Sequence, residues 1–431
     1  MRKTFRKILF YILQIEARLV LWKYHPKVIA ITGSVGKTST KDAVYAVISK
    51  ISHVRKSEKS YNSEIGLPLT VLGCPNGWND LGIWLRNIFK GLWLILASHK
   101  YPKWLVLEVG VGKPGDMKKT ASWIKSDVAI ITAIGETPAH IEFFESSKHL
   151  IEEKSGLIKT LKKDGLLILN ADDENVLALK EKTKSRVVTF GWREGVDVRG
   201  SADSIFYKKN GTPEGLSFKV DESGNSLPVV IEGVFGKNHI YASLGALALS
   251  FGLKFNILNA INALKNYNVP PGRMRLLAGI NKTFLIDDTY NSSPIACESA
   301  LQTLGEVQSK GRKIAVLGDM LELGKHTIDA HKNIGKFAKE NADVLFVVGL
   351  RAKAIAEEAR EAGMNEKNIF EFTNSHETGE AVKNFIKEND FILIKGSQGM
   401  RMERVVGEIL LDKKNKSELL VRQDPEWLNK E

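Results

Sequence analysis

Short apolar runs recur along the chain, each of strand length and each followed by a stretch with helical spacing. KVIAIT (27–32), WLVLEV (104–109) and VAIIT (128–132) are rich in β-branched and leucine residues and show no polar alternation. Continuous apolarity over five or six residues predicts strands buried on both faces, as in a parallel sheet with helices between its strands. GLLILNADD (165–173) reads as another such strand, ending in acids. From Arg186 to Ile231 the texture changes. RVVTFGW, SIFYKKNGTPEGLSFKV and SLPVVIEG predict short strands separated by Gly, Pro and Asn turns, an antiparallel insertion or flank. HIYASLGALALSFGL predicts a helix rich in small residues, and NVPPGRM (268–274) a linker, because paired prolines hold the chain extended. Beyond it TFLIDD, KIAVLGD, VLFVVG and FILIKG predict a second α/β set, with helices such as SPIACESALQTLGEV between them. These four strands end in Asp or Gly, at the carboxyl ends where open α/β sheets bind ligands. The polar stretch 411–431 predicts a frayed tail.

The first 26 residues follow a different pattern. Arg2, Lys3, Arg6 and Lys7 precede an apolar run from Ile8 to Leu13, which Gln14, Glu16 and Arg18 then interrupt. A spanning helix needs roughly 20 mostly apolar residues, and a secretory signal needs a small-residue cleavage site; the stretch has neither. It predicts a basic amphipathic helix over 1–26, for which two readings stay open: contact with an anionic membrane, or packing on the next domain. The aromatic stretch 82–105 carries the same two readings, and a face shared by both would meet lipid.

Composition adds limits. The chain has 431 residues, 43% hydrophobic and 26% charged, which suits two or three soluble domains. Cys74 and Cys297 lie far apart and match no metal or redox spacing, as expected for a cytoplasmic protein or one at the inner face of a membrane. The net charge of +12 is spread along the chain. A nucleic-acid binder would need a reader motif or an aromatic-and-basic surface; none is evident, so no nucleic-acid partner is expected.

The chemistry starts at Thr32-Gly33-Ser34-Val35-Gly36-Lys37-Thr38-Ser39, between a strand and a helix. That context defines a phosphate loop: backbone amides at the turn and helix start attract phosphate oxygens, Lys37 adds charge for the outer phosphates, and the Thr38 hydroxyl suits Mg²⁺. The general pattern would place its first glycine at position 31, which is Ile.

This shorter form resembles the Mur ligases, ATP-dependent amide ligases of cell-wall precursor synthesis. The resemblance continues in YNSEIGLPLTVL (61–72), LEVGVGKPGDM (107–117), ITAIGETPAHIEFFES (131–146), PPGRMRLL (270–277), LIDDTYNSSP (285–294), AVLGDMLELG (315–324) and LIKGSQGMRMERVV (393–406). The last four, in that order, resemble the family branch that adds D-alanyl-D-alanine. The resemblance implies an α/β protein: a central phosphate-loop ATPase domain with a mostly parallel sheet over 27–270, β-rich at 186–231, then a Rossmann-like C-terminal α/β domain over 271–431. It implies ATP and Mg²⁺ as cofactors, and as partners a peptide-linked cell-wall precursor and a D-alanyl-D-alanine-like amine. ATP would phosphorylate a substrate carboxylate, and the amine would displace phosphate from the acyl phosphate.

Residue roles follow from the same resemblance. Gly33, Ser34, Val35, Gly36, Lys37, Thr38 and Ser39 would cradle the phosphates. Thr38, Glu108, His140 and Lys154 would hold metal, Lys154 as a carbamate. Arg273 would reach the γ-phosphate, and Asp288 would help hold the nucleotide, with both domains contributing to one ATP site. Asn238 and His239 stand where the family reads His-Asn, in transposed order. Asn62, Tyr290, Asn291, Asp319, His331, Lys395 and Ser397 match segments that receive substrates. The residues before Thr32 are expected to form one helix and not the family's N-terminal UDP-binding domain. That leads to the expectation of a substrate held differently, a domain supplied by a partner, or a substrate that is not a UDP-sugar. Other acceptors on the same scaffold, of polyglutamate, poly-amino-acid or lipid-linked type, stay open.

Overall fold

The computed structural model describes residues 3–58, 61, 64–78, 80–135, 144, 146–222, 224–265 and 267–428, and the side chains of these except at 3–7, 147 and 425. The chain forms two compact α/β units. The first comprises Met1–Asp203, Phe218–Val229 and Asn238–Asn268; the second comprises Ser204–Ser217, Val230–Lys237 and Val269–Glu431.

Among the described residues nine strands form the first sheet: β1 (Lys27–Thr32), β2 (Val54–Lys56), β3 (Trp104–Glu108), β4 (Ser126–Ile131), β5 (Leu161–Asn170), β6 (Arg186–Gly191), β7 (Val198–Tyr207), β8 (Pro213–Glu222) and β9 (Asn225–Glu232). Their order is β2-β3-β1-β4-β5-β6-β7-β8-β9. All pairs from β2 through β7 are parallel. The continuous apolar runs are buried as expected: β3 is buried along its whole length and β1 everywhere except Lys27. The expectation of an antiparallel region from Arg186 needs correction. Strand β6 pairs parallel with β5, and β7 starts parallel to β6; the chain first reverses at the Lys208–Thr212 turn, where Lys208 N–H donates to Thr212 O (2.8 Å). RVVTFG lacks alternation for the same reason as β1: both its faces are covered.

The second unit holds β10 (Arg275–Ala278), β11 (Phe284–Asp288), β12 (Lys313–Gly318), β13 (Val344–Val348), β14 (Ile369–Phe372) and β15 (Phe391–Lys395). The order is β10-β11-β15-β12-β13-β14, parallel except for β10 against β11. Asp288, Asp319 and Lys395 therefore share the carboxyl edge of three strands. The short β2, β10 and β14 leave no clear apolar run in sequence. Up to Arg422 the polar C-terminal stretch is not frayed: Leu420 is buried, and Arg422 donates to Thr289 O (2.5 Å).

Helix Lys3–Tyr24 buries Leu9, Leu13, Ala17 and Val20 in the core of the first unit, to which Trp84 and Leu94 of helix Leu81–Leu96 also belong. Asp80 caps the second helix by accepting from Gly82 N–H (2.7 Å) and Ile83 N–H (3.2 Å). Phe10 lies against Trp84, and Lys23 donates to Leu94 O, Ile95 O and Ala97 O, so the two helices run side by side in the same direction.

Candidate active site

The loop after β1 enters helix Lys37–Ser49 through Gly36, whose φ of +83° is left-handed and favours glycine. At Gly33 a Cβ would stand 2.0 Å from Thr132 Oγ1, so no side chain fits there. Ser34 N–H and Val35 N–H both donate to Ala133 O (2.6 and 3.2 Å), which ties the loop to the segment after β4. The helix ladder opens with Thr40 N–H to Gly36 O (2.8 Å). The amides of Lys37, Thr38 and Ser39 thus lie in the first turn, where a helix has no carbonyl to offer them and an anion does.

Two lysines converge on this loop. Lys37 Nζ donates to Gly33 O (2.8 Å) and Ser34 O (3.2 Å). Lys154 Nζ, from helix Ser147–Ser155, donates to the same Gly33 O (3.0 Å) and to Ser34 Oγ (2.8 Å). Lys154 is only 3% exposed, and burial, with Lys37 nearby, lowers its pKa from 10.5 to about 6. Desolvation disfavours the ammonium, so near neutral pH this amine is held largely uncharged.

Glu108, 1% exposed, ends β3 directly beside Ile31 of β1. Lys41 Nζ lies 4.0 Å from its carboxylate and 3.6 Å from Asp42, which also pairs with Lys56 (2.5 Å). Lys41 and Asp42 were not among the sequence candidates. Their signal was position: Lys41 sits one helical turn after Lys37, on the face toward β3.

Two cavities flank the loop. One, of about 360 Å³, is lined by Val35, Gly36, Thr132, Asn170, Asp172 and Asn238 among others. Asp172 accepts from Trp192 N–H (2.7 Å) and Tyr241 O–H (2.9 Å), and burial next to Asp172 pushes the Tyr241 phenol up. Asp173 accepts from Ile134 N–H (2.7 Å) and Gly135 N–H (2.8 Å). The acids of NADD were legible as a strand end, but their roles here depend on chain segments distant in sequence. The other cavity, of about 570 Å³, is lined by Arg18, Ser34, Lys37, Asp116, Lys119 and Lys154 among others. Asp116 braces its wall, accepting from Gly112 N–H (3.1 Å) and Lys113 N–H (2.9 Å).

Asn238 lines the smaller cavity, whereas His239 does not: it is 1% exposed and pairs through Nδ1 with the Tyr267 hydroxyl. The transposed pair thus turns its Asn toward the cavity and its His into the core, which corrects the assignment of His239 to the nucleotide. Asn62 and His140 lie outside the described residues.

In the second unit, Lys395, 2% exposed, donates to Asp288 Oδ2 (2.6 Å) and Asn291 O (3.0 Å). Its neighbour Asp287 is fully buried, accepts from Gly272 N–H (3.0 Å) and Thr289 Oγ1–H (2.6 Å), and is pushed up to about 6 by burial. The Arg273 guanidinium lies over the Tyr290 ring at 4.0 Å. Ser397 Oγ accepts from Leu321 N–H (2.8 Å), and Asp319 accepts from Ala352 N–H (2.7 Å) and Arg351 (3.3 Å). His331 requires a correction as a substrate contact. Its Nε2 accepts from Met320 N–H (3.0 Å), so Nδ1 is the donor to Thr327 O (2.7 Å); both nitrogens serve the main chain, and burial lowers the pKa.

A phosphate loop at the carboxyl edge of a parallel sheet, with two lysines on one carbonyl and a buried carboxylate on the adjacent strand, marks a nucleotide-dependent group-transfer enzyme. Comparison with known proteins makes the class narrower. Residues 31–84 and 90–250 match the Mur ligase middle domain, and 272–398 match the Mur ligase glutamate ligase domain. The chain belongs to the Mur ligase family and is an ATP-dependent ligase. It is 29% identical over 401 residues to the UDP-N-acetylmuramoyl-tripeptide–D-alanyl-D-alanine ligase of Bacillus subtilis, covering 92% of this chain and 79% of that one. With the Escherichia coli enzyme of the same name it shares 28% over 386 residues, 88% and 76% of the two chains. In fold it is similar to the MurF ligase of Thermotoga maritima, solved with ADP (TM-score 0.74, 24% identity, 95% of this chain and 84% of that one). It is also similar to the folylpolyglutamate synthase of that organism (TM-score 0.60, 17% identity, 96% and 99%).

Proposed function

We propose that this ligase joins D-alanyl-D-alanine, or a similar amine, to a carboxylate of a peptide-linked cell-wall precursor at the expense of ATP. The observation that carries the reading is the convergence of Lys37 and Lys154 on Gly33 O beside a basic cavity. Lys37, with Arg18 and Lys119 on the cavity wall, brings positive charge where two anions, a carboxylate and a γ-phosphate, must meet. A substrate carboxylate oxygen attacks the γ-phosphorus and ADP leaves, with Lys37 and the first-turn amides stabilising the transferring phosphoryl group. The amine nitrogen then attacks the acyl carbon of the acyl phosphate. Phosphate departs, the nitrogen loses a proton, and an amide remains. The oxygen-rich set of Thr38 and Glu108 suits a hard cation; these two, His140 and Lys154 as a carbamate would hold Mg²⁺, which would neutralise charge between the two anions. An uncharged Lys154 amine is the form that adds CO₂, which supports the carbamate reading. Arg273, Asp288 and Asn238 are read as further nucleotide contacts, and Tyr290, Asn291, Asp319, Lys395 and Ser397 as the frame that receives the amine.

The test is phosphate release with ATP, Mg²⁺, a muramoyl tripeptide precursor and D-alanyl-D-alanine. Release that requires both substrates is expected; release indifferent to the amine overturns the proposal. Replacing D-alanyl-D-alanine with L-glutamate probes the alternative suggested by the full-length similarity to the polyglutamate-forming enzyme. Faster turnover with glutamate would transfer the assignment to that chemistry.

A further inference from the structure

Helix Lys3–Tyr24 turns Leu9, Leu13, Ala17 and Val20 inward, and its opposite face exposes Ile8, Tyr11, Ile15, Leu19 and Trp22. Helix Leu81–Leu96 turns Trp84 and Leu94 inward and exposes Leu81, Leu85, Phe89, Leu92, Trp93 and Leu96. Both inward faces join the same core and the helices lie side by side, so the two apolar stripes look outward together. The exposure is large where it matters: Trp22 73%, Phe89 68%, Trp93 62% and Leu96 82%. A soluble surface rarely gathers this many large apolar side chains in one patch, and such a patch marks an interaction surface.

The charge around the patch selects its occupant. Helix Leu81–Leu96 contains no acidic residue and exposes Arg86 and Lys90. In helix Lys3–Tyr24 the only acid, Glu16, is buried, while Arg18 is exposed. Arg2, Lys3, Arg6 and Lys7 add four cations at the amino end in the sequence. Neither helix therefore exposes a carboxylate. A second copy would bring the same cations against these, a like-charge juxtaposition that costs affinity. An anionic bilayer instead offers negative headgroups to the cations and hydrocarbon to the stripes, with Trp and Tyr suited to the boundary between them. No helix among the described residues is long and apolar enough to cross a membrane, so the contact lies in the plane of the surface.

We infer that this two-helix face seats the enzyme on an anionic phospholipid surface. The same helix links the face to the chemistry. Arg18, between the stripe residues Ile15 and Leu19, lines the 570 Å³ cavity that contains Lys37 and Lys154. Seating this helix on lipid brings the wall of that cavity next to the membrane. The docking inference does not depend on the identity of the amide formed.

The experiment is flotation of the full chain with vesicles of phosphatidylcholine alone and of phosphatidylcholine with phosphatidylglycerol. Binding to the anionic vesicles is expected, weakened by salt and accompanied by a blue shift of tryptophan emission. The double variant Phe89→Glu/Trp93→Glu should bind at least about tenfold more weakly, with an unchanged thermal midpoint, because both side chains are exposed. Trp22→Glu, on the other helix, provides a second reading of the same face. Three results would overturn the inference: no binding to either vesicle, binding that all these substitutions leave intact, or a dimer in light scattering that the double variant abolishes while vesicles go unbound. The last result would assign the face to a second copy.

Discussion

Lys154 illustrates how a single residue acquires chemistry from its surroundings. In sequence it is one of many lysines; in the folded chain it is buried against Gly33 O and Ser34 Oγ, with its pKa lowered to about 6. Between pH 6 and 10.5 the unfolded chain holds a proton that the folded chain does not, so this residue makes stability rise with pH across that window. In bicarbonate-free buffer, denaturant midpoints of the native chain should therefore climb from pH 6 to pH 9 more steeply than those of Lys154→Met. The same substitution should lower turnover about 100-fold or more, since it removes the group that as a carbamate would hold metal at the transferring phosphoryl group. Equal slopes for the two chains would refute the buried, uncharged amine. His331 and His239 show the opposite case: both match functional segments, yet His331 spends both ring nitrogens and His239 its Nδ1 on internal bonds. Spacing places a histidine on an element, but which atoms it faces depends on neighbours far away in the chain.

At the scale of elements, the apolar patterning was largely legible. The unbroken runs became the central strands, and helices formed at Lys3–Tyr24 and Leu81–Leu96, but which face of each turns inward was not legible, because both faces carry apolar residues. Strands β2, β10 and β14 were not legible either, because three or four residues at a sheet edge carry too little pattern. The helix pair also buries a group the pattern would have put outside. Glu16 sits 3% exposed where Gly91 lets the helices approach, since a Cβ at Gly91 would stand 2.1 Å from Glu16 Oε2. Burial raises the pKa of Glu16 from 4.5 to about 7. The folded state therefore prefers the protonated acid. Stability from this group is complete below pH 4.5 and is lost as the pH rises through 7. Glu16→Gln should match the native chain at pH 4 and exceed it at pH 8 by up to about 3 kcal/mol, measured by urea unfolding. A variant no more stable at pH 8 would show that water or a cation reaches the carboxylate.

At the scale of the whole molecule, nucleotide binding and stability are linked. ADP at 100 times its Kd should add about 2.7 kcal/mol to the folded state, seen as a raised thermal midpoint and as slowed hydrogen exchange around Gly33–Thr40 and Asn170–Asn175. Lys37→Ala should fold normally yet need much more ADP for the same shift; no shift in the native chain at any ADP concentration would contradict the nucleotide site. The sequence by itself determined the α/β class, the position of the phosphate loop and the likeness to ATP-dependent amide ligases. These reside in local order: apolar runs of strand length, glycines at one turn, and motifs in a set succession. Tertiary structure decided the rest. It put Lys41, Asp116 and Asp172 beside the loop, turned Asn238 to a cavity and His239 to the core, carried β6 into the parallel sheet, and folded Arg422 back onto Thr289. It also set two amphipathic helices side by side with their apolar faces outward. The physical reason is that burial, pairing and exposure are properties of neighbours in space, and for these residues the neighbours come from distant parts of the chain.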